Sequence, residues 1–296
     1  MSQRPNTPKT KSLLFLILIY LLLPDNAHAT ATSCLWKVSS PSNTVYLLGS
    51  VHVLKQENYP LNDTIYAAYD SVAHLVFEAN LDDMSSPATQ ANALSKGLYT
   101  DGRTLQKTLS PGNYAVAKTQ LERRGYSMTM FNLMKPWMLA STITILELQK
   151  LGFGTEFGVD QHFFQKAKRE GKTTEGLETV EYQLDLFDQL SDTTQESFLL
   201  QTLEEITLLE QQTQQLVDSW THGKIQGLEV LLTGMQAFPE VYEALITRRN
   251  QNWLPRIETY LQHDEPYMIV VGTLHLLGNE GLLAILKEKG YAIQQL

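Results

Sequence analysis

The sequence predicts an α/β fold: a mixed central sheet formed by β-α-β units at the two ends of the chain, with a large helical cap inserted between them. Three observations carry this. Val45 to His52 and Met268 to His275 share one pattern, an apolar strand followed by Gly, a hydroxyl residue, an aliphatic residue and His. Each segment is accompanied by a helical period and a further short apolar run. Between them, residues 88–265 are dominated by helical spacing.

Residues 1–29 are set apart from that fold. Arg4, Lys9 and Lys11 precede an apolar run from Leu13 to Leu23, and Ala27-His28-Ala29 follows Pro24. Basic, apolar and small residues in that order predict a signal peptide cleaved after Ala29. The apolar run is shorter than the about 20 residues that span a bilayer. The expectation is an exported domain, residues 30–296, periplasmic or secreted, with an uncleaved N-terminal membrane anchor as the alternative. Cys34 lacks the bulky aliphatic residue upstream that a lipoprotein signal carries.

Leu35 to Val38 and Thr44 to His52 are apolar or β-branched runs separated by Ser39-Ser40-Pro41-Ser42-Asn43, a hairpin signal. Asn62-Asp63-Thr64 can cap a helix on which Ile65, Ala68, Tyr69 and Val72 share one face. Leu75-Val76-Phe77-Glu78 then reads as a buried strand ending in a carboxylate. In the middle, helices are predicted at 113–124, 136–150, 160–170, 178–190 and 238–261, with one strand at 173–177. Asp192 with Gln195 resembles a capping box ahead of the stripe Leu199, Leu203, Ile206 and Leu209. At the end come a strand from Tyr267 to Thr273, a helix from Gly281 to Lys289 stopped by Gly290, and a strand from Tyr291 to Ile293. No low-complexity linker and no fixed-period repeat interrupts this order.

Asp and Glu number 32 against 23 Lys and Arg, a formal charge of -9. An acidic chain lacks the clustered cations that phosphate backbones require, so nucleic acid is excluded as an expected partner. A peptide or small molecule is the expected substrate. Cys34 is the only cysteine, so neither a disulfide within the chain nor a thiolate metal site is available.

The two matched segments carry the chemistry. In open α/β sheets ligands sit beyond the carboxyl ends of strands, where each motif places its imidazole. Glycine three residues earlier lets a backbone or ligand approach closely. Glu78 ends a third apolar strand and needs a partner there, because an unpaired buried charge is costly. Two imidazoles and a carboxylate suit a divalent ion such as Zn, Mn or Co with a position left for water. They equally suit metal-free catalysis in which Glu78 orients one His as general base. No H-E-x-x-H occurs, so the helix-borne zinc protease arrangement is absent. His28, His74, His222 and His263 read as ordinary core or surface residues.

Ordered strings then point to a family. YLLGSVHVLK-ENYPL from Tyr46 to Leu61, LVFEANL from Leu75 to Leu81, GVDQHF from Gly158 to Phe163, LET-E-QL from Leu177 to Leu184, RN--W from Arg249 to Trp253 and VVGTLHLLG--GLL from Val270 to Leu283 together resemble the TraB/GumN family. That family is similar to the Tiki proteins, described as metal-dependent proteases, and more distantly to erythromycin-esterase-like and haem-binding ChaN-like proteins. The resemblance implies that His52 and His275 are the paired G-x-x-H histidines and Glu78 the acid. It also points to Asp160, Glu178, Gln183, Arg249 and Asn250, with Arg249 as a group for a substrate anion or a developing oxyanion. On their own residues, Asp160 and Glu178 could instead cap helices, and Arg249 could be a surface cation. The resulting expectation is an exported hydrolase, a metal-dependent peptidase. A protein that binds a peptide or haem without turnover, and a metal-independent esterase-like hydrolase, are the alternatives.

Overall fold

The computed structural model describes residues 32–296, and the expected signal peptide lies outside them. Strands β1 (Leu35–Ser39) and β2 (Thr44–Ser50) form the predicted hairpin, followed by α1 (Asp63–Asp70) and β3 (His74–Ala79). Asn62 caps α1 by accepting from the Thr64 amide, and Ile65, Ala68 and Tyr69 are its buried face. The chain is then helical, except for one strand, until residue 260. Its helices are α2 (Leu81–Met84), α3 (Pro87–Gly97), α4 (Leu105–Thr108), α5 (Pro111–Glu122), α6 (Pro136–Lys150) and α7 (Val159–Glu170) before strand β4 (Thr173–Glu178). After it come α8 (Val180–Asp188), α9 (Asp192–Glu205), α10 (Leu209–Thr221), α11 (Ile225–Gln236), α12 (Pro239–Tyr242) and α13 (Arg248–Tyr260). Strand β5 (Tyr267–Gly272), α14 (Leu282–Glu288) and β6 (Ala292–Gln295) complete the fold.

The sheet is mixed and six-stranded, in the order β4-β3-β5-β2-β1-β6. Leu47 pairs with Ile269 and Leu48 with Val270, so the two ends of the chain share one sheet. Neither terminal unit contributes neighbouring strands. β5 lies between β2 and β3, while β2 and β1 lie between β5 and β6. The four strands β4, β3, β5 and β2 are parallel and aligned, so their carboxyl ends open on one edge. They read as nearly continuous apolar runs where helices cover both faces: Leu47, Leu48, Leu75, Val76, Met268, Ile269 and Val271 are fully buried. A second apolar cluster, with Leu105, Leu121, Ile143, Leu199 and Leu203 fully buried, holds α4, α5, α6 and α9 together.

Three local expectations change. The segment predicted as one helix over 238–261 is divided by a π-helical turn at Glu243–Thr247. Its extra residue brings Thr247, Arg249 and Asn250 to the buried side. The cap of α9 is Ser191, whose hydroxyl accepts from the Thr194 amide at 3.2 Å. Gln195 is buried and donates to the Leu190 carbonyl at 3.0 Å, so it does not return to the cap as a capping box requires. Strands β2 and β5 stop at Ser50 and Gly272, which leaves His52 in a loop and His275 in a 3₁₀ turn. Cys34 is a buried free thiol pushed up to about 12 by burial, hence protonated. No helix among the described residues is long and apolar enough to cross a membrane.

Candidate functional site

The open edge of the four parallel strands carries Glu178 at the end of β4, Glu78 near the end of β3, Gly272 at the end of β5 and His52 two residues beyond β2. A Cβ placed on Gly272 would lie 3.1 Å from Glu78 Oε1 and 3.6 Å from both His52 Nε2 and His275 Cδ2. The two G-x-x-H histidines and the carboxylate therefore meet around one glycine. The Gly272 amide donates to Glu78 Oε1 at 2.7 Å, a contact that a side chain there would crowd. Gly49 does the equivalent for the first motif, because its Cβ would lie 2.7 Å from Thr273 Oγ1 and 3.1 Å from Thr273 Cα. Thr273 in turn donates to the Ser50 carbonyl at 2.9 Å, tying the two motifs together.

Arg249 is the central cation. It is 7% exposed and donates from Nη2 to Glu78 Oε2, from Nη2 and Nε to Glu178 Oε1 at 2.6 and 2.9 Å, and from Nη1 to His275 Nε2 at 2.9 Å. Burial disfavours its charge, but Glu78 and Glu178 outweigh burial and hold its pKa above the ordinary value. Burial likewise works against ionised Glu78. Arg249, with His275, His52 and the Gly272 amide, overcomes that effect and holds the carboxyl well below the usual carboxylate range. Gln183 bridges the two acids, donating to Glu178 Oε1 at 3.0 Å and Glu78 Oε2 at 3.3 Å.

The two histidines differ in state. His275 is 4% exposed, and burial lowers its pKa to about 3, so the ring is neutral. Asn250 donates its amide to the His275 and Glu280 carbonyls, which leaves its Oδ1 to accept from His275 Nδ1 at 2.8 Å. The lone pair of His275 therefore lies on Nε2. His52 has a side chain 59% exposed, and its Nδ1 lies 3.1 Å from Asp160 Oδ1. The Asp160 charge raises its pKa to about 9, against a burial effect in the opposite direction. A carboxylate on Nδ1 orients the ring and leaves Nε2 toward the site.

All eight residues singled out in the sequence take part in this network. Asp160 and Glu178 do not cap helices: α7 has no side-chain cap, and Thr179 caps α8. Arg249 is not a surface cation. Sequence reasoning missed Trp253, whose indole donates to Glu178 Oε2 at 2.8 Å. Its ring also packs 4.5 Å from His275 and 4.7 Å from the Arg249 guanidinium. The signal was present in the RN--W string, where i and i+4 place Arg249 and Trp253 on one helical face. His162 stands apart, with Nε2 at 3.3 Å from the Tyr66 hydroxyl.

Among the described residues, no three His, Cys, Asp or Glu side chains stand in a metal-holding arrangement. The donor chemistry nevertheless suits a divalent ion. Neutral His275 carries its lone pair on Nε2 and Glu78 is ionised, while His52 Nε2 faces the site and would ligate on giving up its proton. A cation bound there and Arg249 Nη1 would compete for the same lone pair.

The known proteins to which this chain is similar are distant in sequence. The chain is 24% identical to the uncharacterized protein YbaP of Escherichia coli over 251 residues, covering 84% of this chain and 90% of that protein. It is 24% identical to the metalloprotease TIKI2 of Danio rerio over 317 residues, 88% of this chain but 60% of the longer protein. A metalloprotease TIKI homolog of Amphimedon queenslandica is 22% identical over 341 residues, 95% of this chain and 66% of the other. No solved structure matches significantly. The profile of the TraB/PrgY/gumN family spans residues 34–295, from the first strand of the sheet to the last, so the whole described domain belongs to that family.

Proposed function

We propose that this chain is a hydrolase acting on peptides, with its catalytic centre at the carboxyl ends of β2, β3 and β5 and a divalent metal ion as cofactor. The observation that carries this reading is the convergence of His52 Nε2, Glu78 Oε1 and His275 around Gly272. The distant TIKI relatives, which are named metalloproteases, support it. His52, His275 and Glu78 would hold the ion, which when bound polarises a carbonyl and makes water a nucleophile near neutral pH.

The protein's own groups divide the remaining work. Glu78 stays ionised under Arg249 and the Gly272 amide, which suits it to holding positive charge and makes it a poor proton acceptor. Asp160 on Nδ1 orients the exposed His52 ring so that its Nε2 would face the ion. Arg249, held on two carboxylates beside the site, keeps Glu78 ionised and in place. Trp253, Gln183 and Asn250 fix the positions of Glu178, Glu78 and His275. Export by residues 1–29, into periplasm or medium, belongs to the same proposal, and the intact mass of exported protein tests it.

The occupation of His275 Nε2 by Arg249 favours a second reading: metal-independent hydrolysis in which the His52–Asp160 pair moves the proton. One experiment separates these. Purified protein is stripped with a chelator, reloaded with Zn, Mn or Co, and incubated with a peptide mixture. Products exceeding one equivalent that vanish on chelation and return with metal support the first reading. Activity that survives chelation selects the second, and binding without product rejects both.

A further inference from the structure

Two cavities meet at the site, and Ser50, His52, Glu78 and Gln183 line both. The cavity on the Thr155 and Asp160 side is about 560 Å³ and includes the carboxylates of Glu156 and Asp160. The other, about 530 Å³, is different in character. Its polar groups lie on the sheet edge and beside it, among them His52, Arg249 and His275. Its outer walls come from the helices: Phe187 of α8, Leu216 of α10, Leu231 and Met235 of α11, and Ile246 of the π turn. No carboxylate or ammonium stands on those walls, and all of these side chains except Ile246 are only partly buried, so apolar surface faces the cavity.

A second observation marks this junction as a place for a ligand. Ser50 is 4% exposed, yet its hydroxyl has no hydrogen-bond partner among the described residues. A buried hydroxyl left unpaired costs stability, and a backbone group of a bound peptide would supply its partner. The space beside it matches a ligand site whose wall is apolar and whose polar groups are few and gathered at one end.

Resting on the hydrolase reading above, we propose that the substrate is a peptide carrying a bulky apolar side chain, of Leu, Met or Phe size, beside the bond that is cut, and that this side chain fills the α8–α10–α11 cavity. A charged side chain would leave its charge against Leu216, Leu231 and Met235 without a partner. A small one would leave most of the volume unfilled. Chemistry is thus a property of the sheet edge, and selectivity a property of the intervening helices.

The test uses synthetic peptides identical except at one position, occupied by Phe, Leu, Ala, Asp or Lys, with cleavage read by mass spectrometry. Bonds beside Phe or Leu are expected to be cut with a kcat/KM at least about tenfold above the others. Leu231→Lys is expected to abolish that preference. A binding measurement keeps the inference separate from turnover: His52→Ala protein titrated with acetyl-phenylalanine amide and acetyl-alanine amide. Tighter binding of the phenylalanine amide, lost with Leu231→Lys, supports the cavity assignment even if the unaltered protein cuts nothing, a result that rejects the hydrolase reading alone. Equal binding of the two amides, or a preference that Leu231→Lys leaves intact, overturns the inference.

Discussion

Arg249 Nη1 lies 2.9 Å from His275 Nε2 and donates to the one ring nitrogen that Asn250 leaves free. The same guanidinium pairs with both Glu78 and Glu178, so a buried ring and two mostly buried carboxylates depend on a single cation. Removing it strands two carboxylates in a site where they are mostly buried. Arg249→Ala is expected to lower stability by about 3–5 kcal/mol, as for other broken buried ion pairs. Arg249→Met combined with Glu178→Gln is expected to recover part of that loss. Urea denaturation of the three proteins measures both effects, and an unchanged midpoint in Arg249→Ala would show that the network is not built as described.

The paired histidines should separate in their stability effects although both abolish turnover. His52 is exposed in a loop and its ion pair with Asp160 is screened by solvent, so His52→Ala is expected to cost less than about 1 kcal/mol. His275 is buried, bonded to Asn250 and Arg249 and packed on Trp253, which makes it a packing group as well as a site group. His275→Ala should cost about 1–3 kcal/mol, the scale of a buried partner left unsatisfied. Calorimetry alongside peptide cleavage checks this. Equal melting temperatures for the two variants would contradict the placement of His275.

Gly49 and Thr273 test how closely the two motifs must approach. A methyl group on Gly49 meets both the hydroxyl and the backbone of Thr273. Backbone cannot swing aside, so Gly49→Ala is expected to destabilise by about 1–3 kcal/mol through overpacking. Thermal unfolding gives the answer directly. A neutral result would mean that β2 and the turn after β5 can separate without cost.

His162 provides a pH-dependent prediction away from the chemistry. Burial among Tyr59, Tyr66 and Phe163 lowers its pKa below the ordinary 6.5, and Arg169 and Lys166 on the same helix add to that effect. As pH falls through 6.5 the unfolded chain takes up a proton that the folded ring resists. Stability is therefore lost on acidification below that value. Unfolding curves between pH 7 and 5 should show a shallower loss in His162→Gln than in the unaltered protein. Parallel curves would remove His162 as a contributor.

Much of the sheet, and His52, Glu78 and His275 of the candidate site, were legible because their signals are local, whereas Asp160, Glu178, Gln183, Arg249 and Asn250 were pointed to only by the family resemblance. A strand run ending in G-x-x-H, or a helix capped by Asn62, is specified within about ten residues of sequence. The strand order was not, because placing β5 between β2 and β3 depends on contacts nearly 200 residues apart along the chain. The π turn before Arg249 was also invisible, since one extra residue per turn leaves the apolar spacing of residues 238–261 almost helical. Asp160 shows the same limit at the site. Its position in the first turn of α7 suits a cap, and only the fold reveals that it faces His52 instead.

The interior position of β5 also sets an order of events during synthesis. It is the fifth of six strands to be made, yet it occupies the middle of the sheet, and its Gly272 amide anchors Glu78. A nascent chain that has not reached Gly272 holds β2 and β3 with no strand to join them. Glu78 then has no amide to bond, and His275 does not yet exist. Long-range pairing of this kind is slow to form. The chain cannot gather His52, Glu78 and His275 piecemeal, and the ribosome must have passed His275 before the grouping can exist.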